Sequence, residues 1–227
     1  MRNLLVAATM LAVLAGGAVA ARERNRPLAA NPSGFIAAEI GFARLAQEKG
    51  QWTAFRETAA PDAVMFVPQR VKAQDWLKSQ KNPVEAVKWQ PHAVYVSCDG
   101  NVGVTTGAWQ KGPANGYFTT VWLREPKKGK TTWVLDHGDG LATPRAAPDF
   151  IESKQAKCGS RPAVPIEAGA EGDDMAVGLS PDQTLSWTST VRPDRSRRVT
   201  IRLWDGTDMK TVIDDQVAAP AASAVKP

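Results

Sequence analysis

Asp136, His137 and Asp139 fall within four consecutive positions of the stretch TTWVLDHGDGL, and His92 is the only other histidine in the chain. A carboxylate and an imidazole at the rim of an apolar cavity are the parts of a proton-transfer site. Burial lifts a carboxyl group toward the range in which it can act as a base. The residues before them, Thr131 to Leu135, read as a strand. Regular alternation puts Trp133, Leu135, His137 and Asp139 on one face and Asp136 on the other. On that reading His137 and Asp139 are the candidate catalytic pair at the pocket mouth. The alternative is structural: Asp136 caps the HGDG turn and His137 is a strand-end residue. A bulge at Gly138 would exchange the two faces.

Other polar residues fit structural roles. Asp62 follows Pro61 at the opening of a short strand. His92 follows Pro91 and reads as a solvated edge residue. Asp75 belongs to the first turn of a short helix, where its charge favours the helix dipole. No Ser-His-Asp set, glycine-rich phosphate loop or HExxH motif is readable, so no cofactor and no metal is expected.

The elements that position these residues follow from periodicity. Asn31-Pro32 is a helix start, and Phe35, Ala38, Phe42, Leu45 and Ala46 recur at helical spacing until Gly50. QWTAFRETA and AQDWLKSQ read as two more short helices, with the strand AVMFVP between them. From Val87 the period becomes two. Four strands follow, over about Val87–Cys98, Val102–Gln110, Tyr117–Arg124 and Thr132–Asp139, with a tight Asp99-Gly100-Asn101 hairpin between the first two. Helices followed by an antiparallel meander make an α+β fold with the helices packed on one sheet face.

The strand faces point to a pocket. Phe118, Thr120 and Trp122 share one face of the third strand, and Trp133 has a strong claim to the interior of the fourth. In the second, Gly103, Thr105, Gly107 and Trp109 form a face rich in small residues. Glycines there admit either a ligand or a closely packed helix. Thr105, Trp109, Phe118, Thr120, Trp122 and Trp133 are therefore the candidate ligand-binding residues. The opposite face of the third strand, Tyr117, Thr119, Val121 and Leu123, is also apolar. A sheet with one wet face would alternate cleanly, so a homodimer partner or the C-terminal segment should cover it.

Residues 142–171 read as a linker and 172–218 as a small β extension. TLSWTSTV and RVTIRLW form a hairpin to which Val212 and Ile213 add a third strand. The extension is too small to hold a core alone. Residues 219–227 read as a disordered tail.

Residues 1–20 have the pattern of a secretory signal peptide. Arg2 precedes an apolar run from Leu4 to Gly17 and a small-x-small site at Ala18-Val19-Ala20. An uncleaved anchor is the alternative. Residues 21–32 read as a flexible leader. Cys98 and Cys158, an even pair in an exported chain, read as a disulfide, and their spacing is not that of a zinc site. The formal charge of +5 is dispersed over turns rather than gathered in a stripe, which argues against nucleic acid as a partner.

Several fragments occur in a telling order: FARLAQEKGQWTAFRETAAPDAVMFVP, DWLKSQ, VSCDGNVGVTTGAW, GYFTTVWLRE and TTWVLDHGDG. Together they resemble the nuclear transport factor 2-like superfamily, in its SnoaL-like, ketosteroid-isomerase-like branch of exported proteins of unknown function. The resemblance spans about residues 33–141. It implies a cone, in which a curved antiparallel sheet wraps round helices over a deep apolar pocket. The superfamily includes isomerases, cyclases and dehydratases, and fold alone does not choose among them. Its isomerases pair a carboxylate base with tyrosine and protonated-acid donors, and neither Tyr95 nor Tyr117 matches that set. Three readings follow. The chain is a periplasmic or secreted pocket protein for a small apolar or aromatic molecule, a cofactor-free isomerase or lyase, or a dimerisation or interaction module of the cell envelope. No membrane span is expected after signal cleavage.

Overall fold

The computed structural model describes residues 30–125, 129–159, 164 and 168–221. The expected signal peptide and most of the expected leader, residues 1–29, and most of the expected tail, residues 222–227, lie outside this set. Helix α1 (Pro32–Lys49) starts where the capping chemistry puts it: the Asn31 side chain accepts from the Ser33 N–H at 3.1 Å, with proline in the first turn. It stops at Gly50, whose φ of 95° is the left-handed region glycine favours. α2 (Gln51–Thr58) follows, and α3 (Ala73–Leu77) comes after a short β-turn-β unit of β1 (Ala59–Phe66) and β2 (Arg70–Lys72).

The meander is β3 (Lys88–Val96), β4 (Val102–Lys111), β5 (Ala114–Arg124) and β6 (Thr131–Gly140). β7 (Glu152–Gln155) completes a seven-stranded sheet of order β2-β1-β6-β5-β4-β3-β7. The meander is antiparallel throughout, but β1 joins β6, and β7 joins β3, in parallel. So the expected α+β architecture holds, with a mixed rather than wholly antiparallel sheet. The segment expected to be a linker supplies an edge strand. Pro91 is tolerated because it adjoins a bulge at His92 and lies beyond the reach of β7, which pairs only with Ala93–Val96.

The helices fill one face of this sheet. Phe35, Phe42, Phe55 and Leu77 pack there with Val94, Val96, Trp122 and Trp133. The other face carries a second core. β8 (Asp174–Leu179), β9 (Leu185–Val191), β10 (Arg197–Trp204) and β11 (Met209–Val217) form an antiparallel sheet of order β11-β10-β9-β8. The C-terminal extension is thus four strands rather than a hairpin with one addition. Its Leu185, Val199, Ile201 and Leu203 bury against Val102, Val104, Val121 and Leu135. Each such side chain contributes about 1.5–3 kcal/mol on burial, enough to dock a unit that could not fold alone. The apolar outer face of β5 is therefore covered from within the chain. A disulfide joins Cys98 to Cys158 (Cα–Cα 5.3 Å) and ties the end of β7 to the β3–β4 turn.

Candidate functional site

Local irregularity in β6 decides which of its residues face the interior. Val121 pairs with Leu135, yet the next residue of β5, Trp122, pairs with Trp133, so Val134 is an extra residue on β6. Trp133 therefore faces the helices and Leu135 the second sheet. The alternation beyond the bulge is reversed from the regular reading. Asp136 faces inward beside Thr120, whose Oγ1 donates to Asp136 Oδ2 at 2.9 Å. The bulge responsible is at Val134, not at Gly138.

Asp136 borders a cavity of about 240 Å³ whose walls are chiefly aromatic: Phe42, Trp52, Phe55, Trp89, Trp109 and Phe118. Burial pushes its carboxyl up to about 8; the negative charge of Glu39 adds to the rise and the Thr120 hydrogen bond opposes it. At neutral pH this group is a carboxylic acid able to donate a hydrogen bond into the cavity.

Glu39 is the residue that periodicity did not single out. It lies within the apolar stripe of α1, between Phe35 and Phe42, and is fully buried. Trp89 Nε1 donates to its Oε1 at 2.6 Å; Thr105 Oγ1 and Trp122 Nε1 donate to Oε2 at 2.5 and 3.1 Å. Burial raises its pKa, against the lowering effect of these bonds. The signal was present in the sequence: a glutamate four residues after Phe35 and three before Phe42 shares their helix face.

The outer side of β6 holds a different cluster. The His137 imidazole is 2% exposed. Arg197 Nε donates to its Nδ1 at 3.2 Å, which leaves the ring proton on Nε2, 3.4 Å from the Tyr117 hydroxyl and 4.0 Å from Asp215 Oδ2. Burial, with Arg197 nearby, pushes His137 down to about 3, so it is neutral at every ordinary pH. Thr119 Oγ1 donates to Asp215 Oδ2 at 2.7 Å. Arg145 lies 3.8 Å from Asp215 Oδ1 and stacks over Tyr117 at 4.7 Å.

The expected catalytic pair is thus separated. His137 borders the cavity, but both its nitrogens are engaged with Arg197 and Tyr117. Asp139 pairs with Tyr117 across the strands, on the outer parity, and is not among the cavity residues. Asp136, assigned to the outside by regular alternation, is the carboxyl that enters. Of the candidate ligand residues, Trp109 and Phe118 line the cavity. Thr120 holds Asp136, Thr105 and Trp122 are bound to Glu39, and Trp133 donates to Thr58 Oγ1 at 3.0 Å. At Gly103 a helix explains the missing side chain, because a Cβ there would collide with the Phe35 ring. Asp62 is exposed and Asp75 pairs with Lys78 at 2.9 Å, as structural roles require. His92 differs from a solvated residue: its Nε2 is buried without a hydrogen-bond partner.

No family model matches the chain, and no curated protein matches it. Solved structures do. An NTF-2-like protein of unknown function from Shewanella oneidensis MR-1 is similar over 47% of this chain and 96% of its own, at 12% identity and a TM-score of 0.38. A cystatin-like fold protein from Burkholderia xenovorans LB400 is similar over 49% and 92%, at 16% identity and 0.39. An NTF2-like protein of unknown function from Shewanella baltica OS155 is similar over 50% and 98%, at 13% identity and 0.37. Each of these likenesses covers about half of this chain.

Proposed function

We propose that this chain is an exported pocket protein whose cavity takes a small, neutral, largely aromatic molecule carrying one hydrogen-bond acceptor. One observation carries the reading: an aromatic cavity in which Asp136 is the ionisable group on the inner face, protonated at neutral pH. Aromatic walls favour a flat apolar body, and a buried acid rewards an oxygen that accepts its proton. At about 240 Å³ the space is smaller than the roughly 300–1,000 Å³ of pockets for drug-sized ligands, so the molecule is a small one. The disulfide fits an oxidising compartment. No helix among the described residues is long and apolar enough to cross a membrane.

A matched pair of probes tests this. 1-Acetylnaphthalene and 1-ethylnaphthalene have nearly the same shape, and only the first has a carbonyl. The ketone should bind about tenfold more tightly at pH 6, worth about 1.4 kcal/mol for one hydrogen bond. The advantage should vanish above pH 8 and in Asp136→Ala. Failure of both probes to bind saturably overturns the reading. Mass spectrometry of molecules copurifying from the native envelope would then identify the natural occupant.

A second reading, a cofactor-free isomerase or lyase, is favoured by the same carboxyl. A group near pH 8 is poised to exchange a proton close to neutrality. It would place Asp136, not His137 and Asp139, at the reacting atom. Turnover would then rise with pH through about 8, the opposite of the binding trend. A homodimer formed through the outer sheet face loses its motive, since the second sheet occupies that face.

A further inference from the structure

Pairing between β1 and β6 ends at Val64–Leu135. Beyond that point Phe66 on β1 and His137 and Gly138 on β6 all border the cavity. Here no backbone ladder joins β1 to β6, although β2 still pairs with Phe66 and β5 with His137 and Gly138. A single side chain from the second sheet reaches all three residues. Arg197 Nε donates to His137 Nδ1 at 3.2 Å, Arg197 Nη2 donates to the Gly138 carbonyl at 2.8 Å, and the guanidinium lies over the Phe66 ring at 5.6 Å. Arg70 adds a second brace. Its guanidinium lies 5.7 Å from the Phe66 centroid, and it donates to Asp174 and Ser189 of the second sheet.

The placement of Arg197 is costly. It is 7% exposed, and its close partners are an imidazole, a carbonyl and a ring, with the Asp139 carboxylate supporting its charge at longer range. Burying a guanidinium in such company opposes docking rather than driving it. Leu185, Val199, Ile201 and Leu203 already supply the apolar contact that docks the sheet. Docking alone does not call for this arginine; the gap between β1 and β6 does.

We infer that Arg197 is a positioning residue for the cavity: it bridges Phe66 to His137 and Gly138 where β1 and β6 part, so the second sheet shapes a site that it does not line. Among the described residues, none from the second sheet borders the cavity. The inference rests on the binding reading above, and it ties occupancy of the cavity to the docking of the C-terminal unit. A ligand that needs the closed wall binds less well when the bridge is lost, and binding in turn holds the sheet in place.

The test compares Arg197→Met with Arg198→Met. Arg198 belongs to the same strand but pairs outward with Asp214 at 2.6 Å. Two quantities are read in each: the titration of the Asp136 carboxyl by carbon NMR, and affinity for 1-acetylnaphthalene. Amide protection at Ile201 and Leu203 confirms that the sheet remains docked. In Arg197→Met, water entering through the loosened wall should lower the Asp136 midpoint by a pH unit or more and weaken the ketone at least tenfold. Arg198→Met should leave both at wild-type values. Mere loss of stability would not move the titration of a folded protein. A docked Arg197→Met with unchanged titration and affinity overturns the inference, as does an equal loss in Arg198→Met. If Arg197→Met does not fold, Arg197→Lys serves. It keeps the charge but lacks the fork that holds His137 and Gly138 together, and an unchanged Asp136 midpoint there is equally fatal. If wild-type protein binds no ketone, the binding reading falls and the Asp136 titration alone decides the role of Arg197.

Discussion

Asp136 and His137 are adjacent in sequence and lie on opposite parities of β6, the carboxyl held by Thr120 and the imidazole by Arg197. The bulge at Val134 sets this arrangement, and burial then drives both groups to their neutral forms. The two shifts have opposite consequences for stability.

The Asp136 midpoint is raised from its unfolded value to about 8. Between those limits the folded state holds a proton that the unfolded state lacks, so its contribution is complete below the unfolded value and is lost as pH rises through 8. Asp136→Asn should remove this dependence. Its melting temperature should exceed that of wild type at pH 9, by an amount reflecting roughly 2 kcal/mol or more, and approach it at pH 5. Thermal unfolding at the two pH values measures it; a larger gain at pH 5 than at pH 9 contradicts the assignment.

His137 behaves in the opposite sense. Its midpoint is depressed to about 3, so the unfolded state binds the proton first as pH falls. The stability it contributes is complete above about pH 6.5 and is lost progressively toward pH 3. With only two histidines in the chain, proton NMR resolves them readily. The His137 ring signals should stay fixed from pH 8 to pH 4.5 while the protein remains folded, and a midpoint near 6 would refute the buried neutral assignment.

Glu39 accepts bonds from Trp89, Thr105 and Trp122 in the core. Glu39→Leu removes the acceptor and strands these donors, which costs about 1–3 kcal/mol for each group left unsatisfied. It also removes one of the two influences that raise Asp136, so the Asp136 midpoint should fall. Chemical denaturation and the Asp136 titration report the two effects separately.

The Cys98–Cys158 bond closes a long loop that holds β4 to β7 of the seven-stranded sheet. In the chain-entropy model it contributes about 4 kcal/mol. Thiol labelling of the denatured, non-reduced protein should find no free thiol, and reduction should lower the denaturation midpoint by a corresponding amount. Truncation after residue 171 should uncover Val121 and Leu135 and produce aggregation or dye binding, which light scattering detects.

Much of the architecture was legible because it follows from local chemistry. Asn31, Pro32 and Gly50 delimit α1 through capping and backbone freedom. The period-two strands from Val87 onward, the apolar outer face of β5 and the even cysteine pair each state a physical requirement that any fold of this chain must meet. What local pattern could not determine was which face of β6 is the inside. One extra residue at Val134 inverts every side chain after it, and nothing in TTWVLDHGDGL marks the bulge. It exists because β5, β1 and the helices together bury Trp133 on one side and Leu135 on the other. Arg197 was invisible for a related reason. Its partners Phe66, His137 and Gly138 lie about 60 to 130 positions away along the chain and meet only where two sheets close on each other. The sequence by itself determined the helices, the four meander strands and the apolar faces of β5; tertiary packing alone decided that β7 and β8 form as strands, that Asp136 enters the cavity and that a distant arginine holds its wall.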